Sequence, residues 1–154
     1  MTAFTFTALP SSLLDETRER EVAARRAVSP EPDGGAFPVR CCLRDVADAE
    51  DVLLVSVRPP SADSPYAAHS PVYVHREPCD GHGANGAMPE VLRNRLLSLR
   101  AYTAGHMITG TATEHGRHAE RAIAELLADP RAEYVFVHFA GPGCYVCRVD
   151  RAAA

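Results

Sequence analysis

Two adjacent cysteines, Cys41 and Cys42, stand between Arg40 and Arg44 in a short run that is predicted to be a β-strand. Because successive strand side chains point to opposite faces, Cys41 lies with apolar neighbours and Cys42 lies with the two arginines. Guanidinium groups favour the thiolate, which is the nucleophilic form of cysteine. Cys42 is therefore a candidate catalytic nucleophile or redox-active thiol, and Arg40 is a candidate ligand-binding residue. In the alternative interpretation Cys42 is a half-buried spacer and the arginines are surface charges.

Arg100 and Tyr102 are separated by one residue in a run predicted to be a strand over 96–103, so both side chains lie on the same face. Arginine holds a carboxylate or phosphate through two hydrogen bonds, and tyrosine can orient the same ligand. These two residues predict a site for a small anionic molecule. The alternative is structural, with Arg100 paired to a carboxylate such as Asp45 or Asp51 and Tyr102 packed at the edge of the sheet.

His138 lies in an apolar run over 133–140 and is followed by a Gly-Pro-Gly turn, Cys144 and Tyr145. Glycine permits a ligand to approach the backbone closely, and imidazole exchanges protons near neutral pH. We therefore place His138 and Cys144 with Cys42 among the candidate catalytic residues, and Tyr145 among the ligand-binding ones. In the alternative interpretation His138 is a hydrogen-bonded structural residue of its strand.

The closing run over 144–151 is also predicted to be a strand. Alternation places Tyr145, Cys147 and Val149 on one of its faces and sends Cys144 to the other. The Cys-x-x-Cys spacing of Cys144 and Cys147 is therefore a poor candidate for a metal or redox pair.

A second group of potential ligands, His75, Cys79 and His82, runs from the end of a predicted strand into a glycine-rich loop. Imidazole and thiolate suit Zn²⁺ or a similar metal, and His138 and Cys144 join the group if the closing strands lie nearby. The spacing matches no standard signature, so we assign no metal ligands and expect no stoichiometric metal. A metal-binding protein remains the alternative.

Residues 81–86 satisfy the pattern Gly-x-Gly-x-x-Gly, but Met88-Pro89 follows almost immediately. Dinucleotide binding requires that pattern between a strand and a helix of a βαβ unit. We therefore predict an exposed loop over 80–87, with no NAD or FAD, and assign no cofactor.

The elements that must position these residues follow from periodicity and from turn residues. Apolar spacing predicts a helix over 12–27, ended by the proline- and glycine-rich segment 29–35, and a second helix over 116–128. Short β-branched and aromatic runs predict strands over 39–43, 51–58, 71–76, 96–103, 107–113, 133–140 and 144–151. This order predicts an α+β fold, with a mostly antiparallel sheet of about six to seven strands and two main helices packed on it.

The composition is that of one globular domain spanning residues 1–154, with 46% apolar and 23% charged residues. All 16 basic residues are arginine, which excludes lysine chemistry, and the net charge of -4 without a basic block argues against nucleic-acid binding. No secretion signal or long apolar stretch is visible, so we expect a cytoplasmic protein without membrane contact, whose five cysteines are mostly reduced. The oligomeric state is left open.

Four motifs in register give the chain a resemblance to a known family. They are Pro-Val-Arg-Cys-Cys-Leu at 38–43, Tyr66 before Pro-Val-Tyr-Val-His at 71–75, Leu-Arg-Ala-Tyr at 99–102, and Val-His at 137–138 with Gly-Cys-Tyr at 143–145. Over about 36–151 the chain resembles the bacterial family catalogued as domain of unknown function 1203. Many members have Pro-Cys-Arg at the first motif, where Val39 stands here. The resemblance implies a stand-alone bacterial domain of similar length and brings no activity, cofactor or partner.

Three classes of function follow from these residues. The first is a small-molecule-binding domain, which could also be an enzyme, whose pocket holds an anionic metabolite with Arg40, Cys42, Arg100, Tyr102, His138 and Cys144. The second is a metal-binding protein of the zinc type. The third is a non-catalytic interaction module in which the same residues are structural.

Overall fold

The computed structural model describes residues 4–20, 25–26, 36–48, 51–82 and 86–153. Within them the chain forms three helices, which are α1 (Ser11–Arg20), α2 (Glu90–Arg93) and α3 (Ala119–Leu127). The strands of the first half are β1 (Phe4–Thr7), β2 (Arg25–Arg26), β3 (Phe37–Val39), β4 (Arg44–Val46), β5 (Val52–Val57) and β6 (Ser70–His75). Those of the second half are β7 (Leu96–Tyr102), β8 (Ile108–His115), β9 (Tyr134–Phe139) and β10 (Tyr145–Arg151).

The strands form two five-stranded sheets, so the predicted single sheet of six to seven strands is wrong, whereas the mixture of helices and strands is confirmed. The antiparallel sheet has the order β1-β10-β9-β7-β8. The mixed sheet has the order β2-β5-β6-β3-β4, and in it β3 runs parallel to β6. The physical reason lies in β9, where all six residues are buried. A strand that is apolar on both faces needs a layer on each side.

Each face of the antiparallel sheet packs against a different layer. On one face α3 buries Ala119, Ala122, Ile123 and Leu127 against sheet residues that include Leu97, Leu99, Val135 and Val137. On the other face the aromatic residues Tyr102, Tyr134, Phe136 and Tyr145 pack against the valines of the mixed sheet. Burying a side chain of this size contributes about 1.5–3 kcal/mol. The two sheets are therefore held together by an aromatic layer.

The predicted first helix is too long. Helix α1 begins at Ser11, one residue before the predicted start, and ends at Arg20, while Arg25 and Arg26 pair with Leu54 and Leu53 as an edge strand. Helix α1 buries Leu14 and Thr17. At residues 25–26 the backbone hydrogen bonds to the edge of β5 stabilise a strand in place of the helix that the apolar spacing predicts. The predicted terminating segment 29–35 lies outside the described residues. The second helix is confirmed, with a 3₁₀ turn over 116–118 before α3.

The first predicted strand, over 39–43, is also wrong. Strand β3 ends at Val39, residues 40–43 form a turn, and β4 begins at Arg44 and pairs antiparallel with β3. Leu43 adopts a left-handed conformation with φ 55° and is only 1% exposed. Burial of its side chain offsets the backbone strain of this tight reversal.

Among the described helices, none has both the length and the apolar character that crossing a membrane requires.

A tight backbone contact before α3 yields a stability prediction. A Cβ atom at Gly116 would lie 1.8 Å from the carbonyl oxygen of Leu92, which is backbone and can move only with α2. Gly116→Ala should therefore lower the free energy of unfolding by about 3 kcal/mol, as measured by urea denaturation. The matched control is Gly141→Ala, where nothing lies within 4 Å of the added Cβ atom, and it should change that free energy by less than about 0.5 kcal/mol. Equal stability of the two variants would contradict the close packing of α2 on the turn.

Candidate functional site

A cavity of about 160 Å³ lies between the two sheets. The mixed sheet contributes Ser70 and Pro71 from the start of β6, and the antiparallel sheet contributes side chains from β7, β9 and β10. Five of the seven site residues predicted from the sequence line this cavity, namely Arg100, Tyr102, His138, Cys144 and Tyr145. Residues from distant parts of the chain therefore meet at one place.

Strand register explains why these side chains share a face. His138 lies opposite Ser98 of β7 and opposite Tyr145 of β10, and Arg100 lies opposite Phe136. Residues directly opposite each other in an antiparallel pair point to the same side of the sheet. An irregularity between Tyr145 and Cys147 shifts the register of β10.

This register shift corrects the predicted faces of β10. Tyr145 packs in the aromatic layer between the sheets, whereas Cys147 and Val149 pack in the core under α3. The predicted grouping of the three on one face is therefore wrong, because a bulge interrupts the two-residue period.

His138 is held as a neutral imidazole with one free nitrogen. Its side chain is 9% exposed, and Nδ1 lies 3.0 Å from the carbonyl oxygen of Gly143, so Nδ1 carries the proton and donates it. The Nε2 atom is buried and has no hydrogen-bond partner among the described residues. Burial, reinforced by the positive charge of Arg100, lowers the pKa of His138 to about 4. At neutral pH the cavity therefore contains an unpaired hydrogen-bond acceptor.

Arg100 supplies positive charge to the same cavity. Its Nε donates to the hydroxyl of Ser98 at 3.2 Å, and within the described part of the chain no carboxylate lies within 4 Å of its guanidinium. Asp45 pairs instead with Arg95 at 2.8 Å, so the structural alternative in which Arg100 bridges Asp45 or Asp51 is wrong. The guanidinium also hydrogen-bonds the side chain of Tyr102, and its donors that are directed to neither Ser98 nor Tyr102 are available to an anion.

Two buried tyrosines complete the wall of the cavity. Tyr102 stacks on His106 with ring centroids 4.0 Å apart, and it lies on an inner strand of the sheet rather than at its edge. Burial raises the pKa of Tyr102 and raises that of Tyr145 well above its ordinary value. Both phenols are therefore protonated at neutral pH and can act as hydrogen-bond donors. The backbone N–H of Tyr145 donates to Ser70 Oγ at 2.9 Å, which joins the two sheets beside the cavity.

Arg40 does not line this cavity and does not share a face with Cys42. Its guanidinium is buried, with 1% of the residue exposed, and it donates to the carbonyl oxygens of Tyr145 at 2.7 Å and of Pro38. A third donor lies 3.0 Å from Cys144 Sγ. The Arg40 guanidinium thus joins the mixed sheet to β10 at the cavity wall, while the backbone of Arg40 begins the turn over 40–43.

Cys42 belongs to a separate group of side chains. The ligand atoms of Cys41, Cys42, His75 and Cys79 all lie within 4.8 Å of one another. Because residues 40–43 form a turn, the two adjacent thiols point to the same group and the predicted separation onto opposite strand faces is wrong. The hydrogen bond between them lowers the pKa of Cys42 and raises that of Cys41. Strand alternation also predicts that Cys42 forms the thiolate more readily than Cys41, but it attributes this difference to the neighbouring arginines and not to the hydrogen bond between the thiols.

The metal alternative drawn from the sequence shares two residues with this group. His75 and Cys79 lie in this group, whereas His82 and His138 do not. Cys41 was missed, since strand alternation assigned it to the core. The pair of adjacent cysteines is a sequence signal for a thiol site, but it does not indicate that His75 lies beside the pair.

The cavity also contains residues that the sequence did not indicate. Ser70 and His106 line it, and His106 is 2% exposed with Nδ1 2.6 Å from the hydroxyl of Tyr134. His106 follows Gly105 in the turn between β7 and β8 and has a positive φ of 60°. The sequence signal for His106 as a cavity residue was its position directly after a tight turn.

Protonation of His138 provides a test of its environment. Its pKa is about 4 in the folded protein against an ordinary value of 6.5, so as the pH falls the unfolded chain binds the proton first. The free energy of unfolding should therefore decrease between pH 6.5 and pH 4, by about 2–3 kcal/mol from this residue. His138→Gln should remove that part of the pH dependence in urea denaturation, whereas the exposed control His118→Gln should keep it. An unchanged pH dependence in His138→Gln would show that His138 is not buried as a neutral ring.

Comparison with known proteins gives one match. No curated protein and no solved structure matches the chain significantly. The family model described as protein of unknown function (DUF1203) matches residues 36–151, which is more than half of the chain and includes every residue of the cavity and of the Cys/His group. The chain therefore belongs to the DUF1203 family of proteins of unknown function.

Proposed function

We propose that the cavity between the sheets binds a small anionic molecule, and that Arg100 holds its negative charge. The observation that carries this proposal is the coexistence, in one cavity, of a guanidinium without a carboxylate partner in the described chain and a 9% exposed histidine whose Nε2 has no partner there. Buried polar atoms normally have hydrogen-bond partners, and a ligand would supply the missing ones.

The polar groups indicate the class of ligand. A carboxylate or phosphate suits the fork of donors on Arg100. The free Nε2 of neutral His138 accepts a hydrogen bond, so the ligand should also carry a donor such as a hydroxyl group. The phenol of Tyr102 is next to Arg100 on the same strand face and can donate to the same anionic group.

The size of the cavity limits the ligand. A cavity of about 150 Å³ accommodates benzene, which has six non-hydrogen atoms, and this one measures about 160 Å³. A hydroxy acid of about six non-hydrogen atoms therefore combines the required charge, donor and volume. A hydroxyl group held at Nε2 would donate a hydrogen bond to it, but a pKa of about 4 makes His138 a weak base at neutral pH, so the arrangement favours binding over general base catalysis.

Titration calorimetry with lactate, propionate and inorganic phosphate tests whether the cavity binds an anion. Wild-type protein should bind lactate, and Arg100→Gln should weaken that binding by about tenfold to hundredfold because a charged hydrogen bond contributes about 1.5–3 kcal/mol. Arg121→Gln is the control, since Arg121 is exposed and lies outside the cavity. Equal affinity in wild type and Arg100→Gln would refute Arg100 as the anchor.

The comparison of lactate with propionate tests the role of His138, since the two acids differ in the hydroxyl group. Lactate should bind more tightly than propionate to the wild-type protein at pH 7. No binding of any of the three probes, together with no organic mass retained in native mass spectrometry, would favour the alternative of a non-catalytic interaction module.

A further inference from the structure

The Cys/His group has the dimensions of a metal site. Cys42 Sγ and His75 Nε2 are 3.4 Å apart, and no two of the four ligand atoms are separated by more than 4.8 Å. In a tetrahedral zinc site with Zn–S near 2.3 Å and Zn–N near 2.0–2.1 Å, neighbouring ligand atoms lie about 3.5–3.8 Å apart. Small side-chain adjustments would therefore place all four atoms around one ion.

The fold explains why residues so far apart in sequence meet here. Strands β3 and β6 are parallel, with Val39 beside Tyr73 and the N–H of Arg40 donating to Tyr73 at 2.8 Å. Parallel strands end at the same edge of a sheet, so the turn that follows β3 meets His75 at the end of β6. The chain that leaves β6 then returns with Cys79.

Each of the three thiols already accepts a backbone N–H donor. Cys41 accepts from His75 at 3.4 Å, and Cys42 and Cys79 accept from the residues two positions later, Arg44 and Gly81. Leu43, which lies between Cys42 and Arg44, has a positive φ of 55°. Gly81, which donates to Cys79, has a positive φ of 79°. Such donors orient sulfur ligands and stabilise the thiolates that a metal requires.

Charge around the group also suits a bound metal. Three thiolates, a neutral imidazole and Zn²⁺ carry a net charge of −1. Arg44 acts electrostatically on Cys42, and Arg18 donates from Nε to the carbonyl oxygen of His75 at 2.9 Å. A cleft of about 350 Å³ borders Cys42, His75 and Cys79 and gives an ion access to the group.

We propose that Cys41, Cys42, His75 and Cys79 bind one zinc ion as a closed structural site. Four protein ligands leave no open coordination position, which distinguishes the site from a catalytic centre. The ion joins the β3–β4 turn to the end of β6, and the site is independent of the cavity between the sheets. This reverses the expectation drawn from sequence spacing, because the ligands come together through parallel pairing and not through a short motif.

The first test is the metal content of the reduced protein purified without a metal-affinity tag. Elemental analysis should find about one zinc per chain, and X-ray absorption should show three sulfur ligands at about 2.3 Å and one nitrogen at about 2.0 Å. Apo-protein titrated with cobalt should develop thiolate charge-transfer bands and the absorption of a tetrahedral site. Absence of metal uptake by the apo-protein, or a ligand shell without sulfur, would overturn the proposal.

The zinc content of single-residue variants tests which thiols and histidines bind the metal. Cys79→Ser and His75→Gln should each lose most of the zinc and lower the melting temperature. Cys147→Ala and His118→Gln are the matched controls, since both residues lie outside the group, and each should retain wild-type zinc content. Wild-type zinc content in Cys79→Ser would refute the ligand set. If a ligand variant does not fold, the X-ray absorption and cobalt spectra of the wild-type protein still show whether a metal is bound by sulfur ligands.

Discussion

The buried guanidinium of Arg40 is the interaction on which the arrangement of the two sheets depends. A charge that is 1% exposed is costly unless every donor is used, and here the donors are directed to carbonyl oxygens of Pro38 and Tyr145 and to the sulfur of Cys144. Phe139 also packs beneath it, with its ring centroid 4.9 Å from the guanidinium carbon. Because these partners come from both sheets, Arg40 fixes the distance between them and so helps to define the cavity.

Arg40 also connects the two candidate sites. On one side its contacts hold Tyr145 and Cys144 in the cavity wall, and on the other side the chain continues directly into Cys41 and Cys42. The proposed chemistries are nevertheless distinct. The cavity offers a cation and neutral hydrogen-bonding groups to an anion, whereas the Cys/His group offers thiolates to a cation. A structural metal would restrain the turn from which Arg40 extends.

Prediction from sequence was most successful where local periodicity and final structure agree. The runs that became β5, β6, β7, β8, β9 and β10 were all predicted, and so was α3. Arg100 and Tyr102 were assigned to one face correctly because the pairing of β7 with β9 is regular through both residues, although the register with β8 shifts after Ala101. Prediction failed at residues 25–26, where pairing with β5 replaces the helix, and at 40–43, where the backbone turns.

The sequence by itself determined which reactive side chains are present and where the local elements lie. It shows arginine without lysine, five cysteines without a regular metal motif, strand periods after residue 51 and membership of the family. The tertiary structure alone decided which residues meet. Side-chain alternation presumes an extended backbone, so it assigns side chains to the wrong faces at the turn over 40–43 and after the bulge at Tyr145. Strands β3 and β6 are far apart in the sequence, and their parallel pairing is stabilised by burial on both faces of the sheet. For that reason no local pattern could show that Cys41 and Cys42 would meet His75 and Cys79.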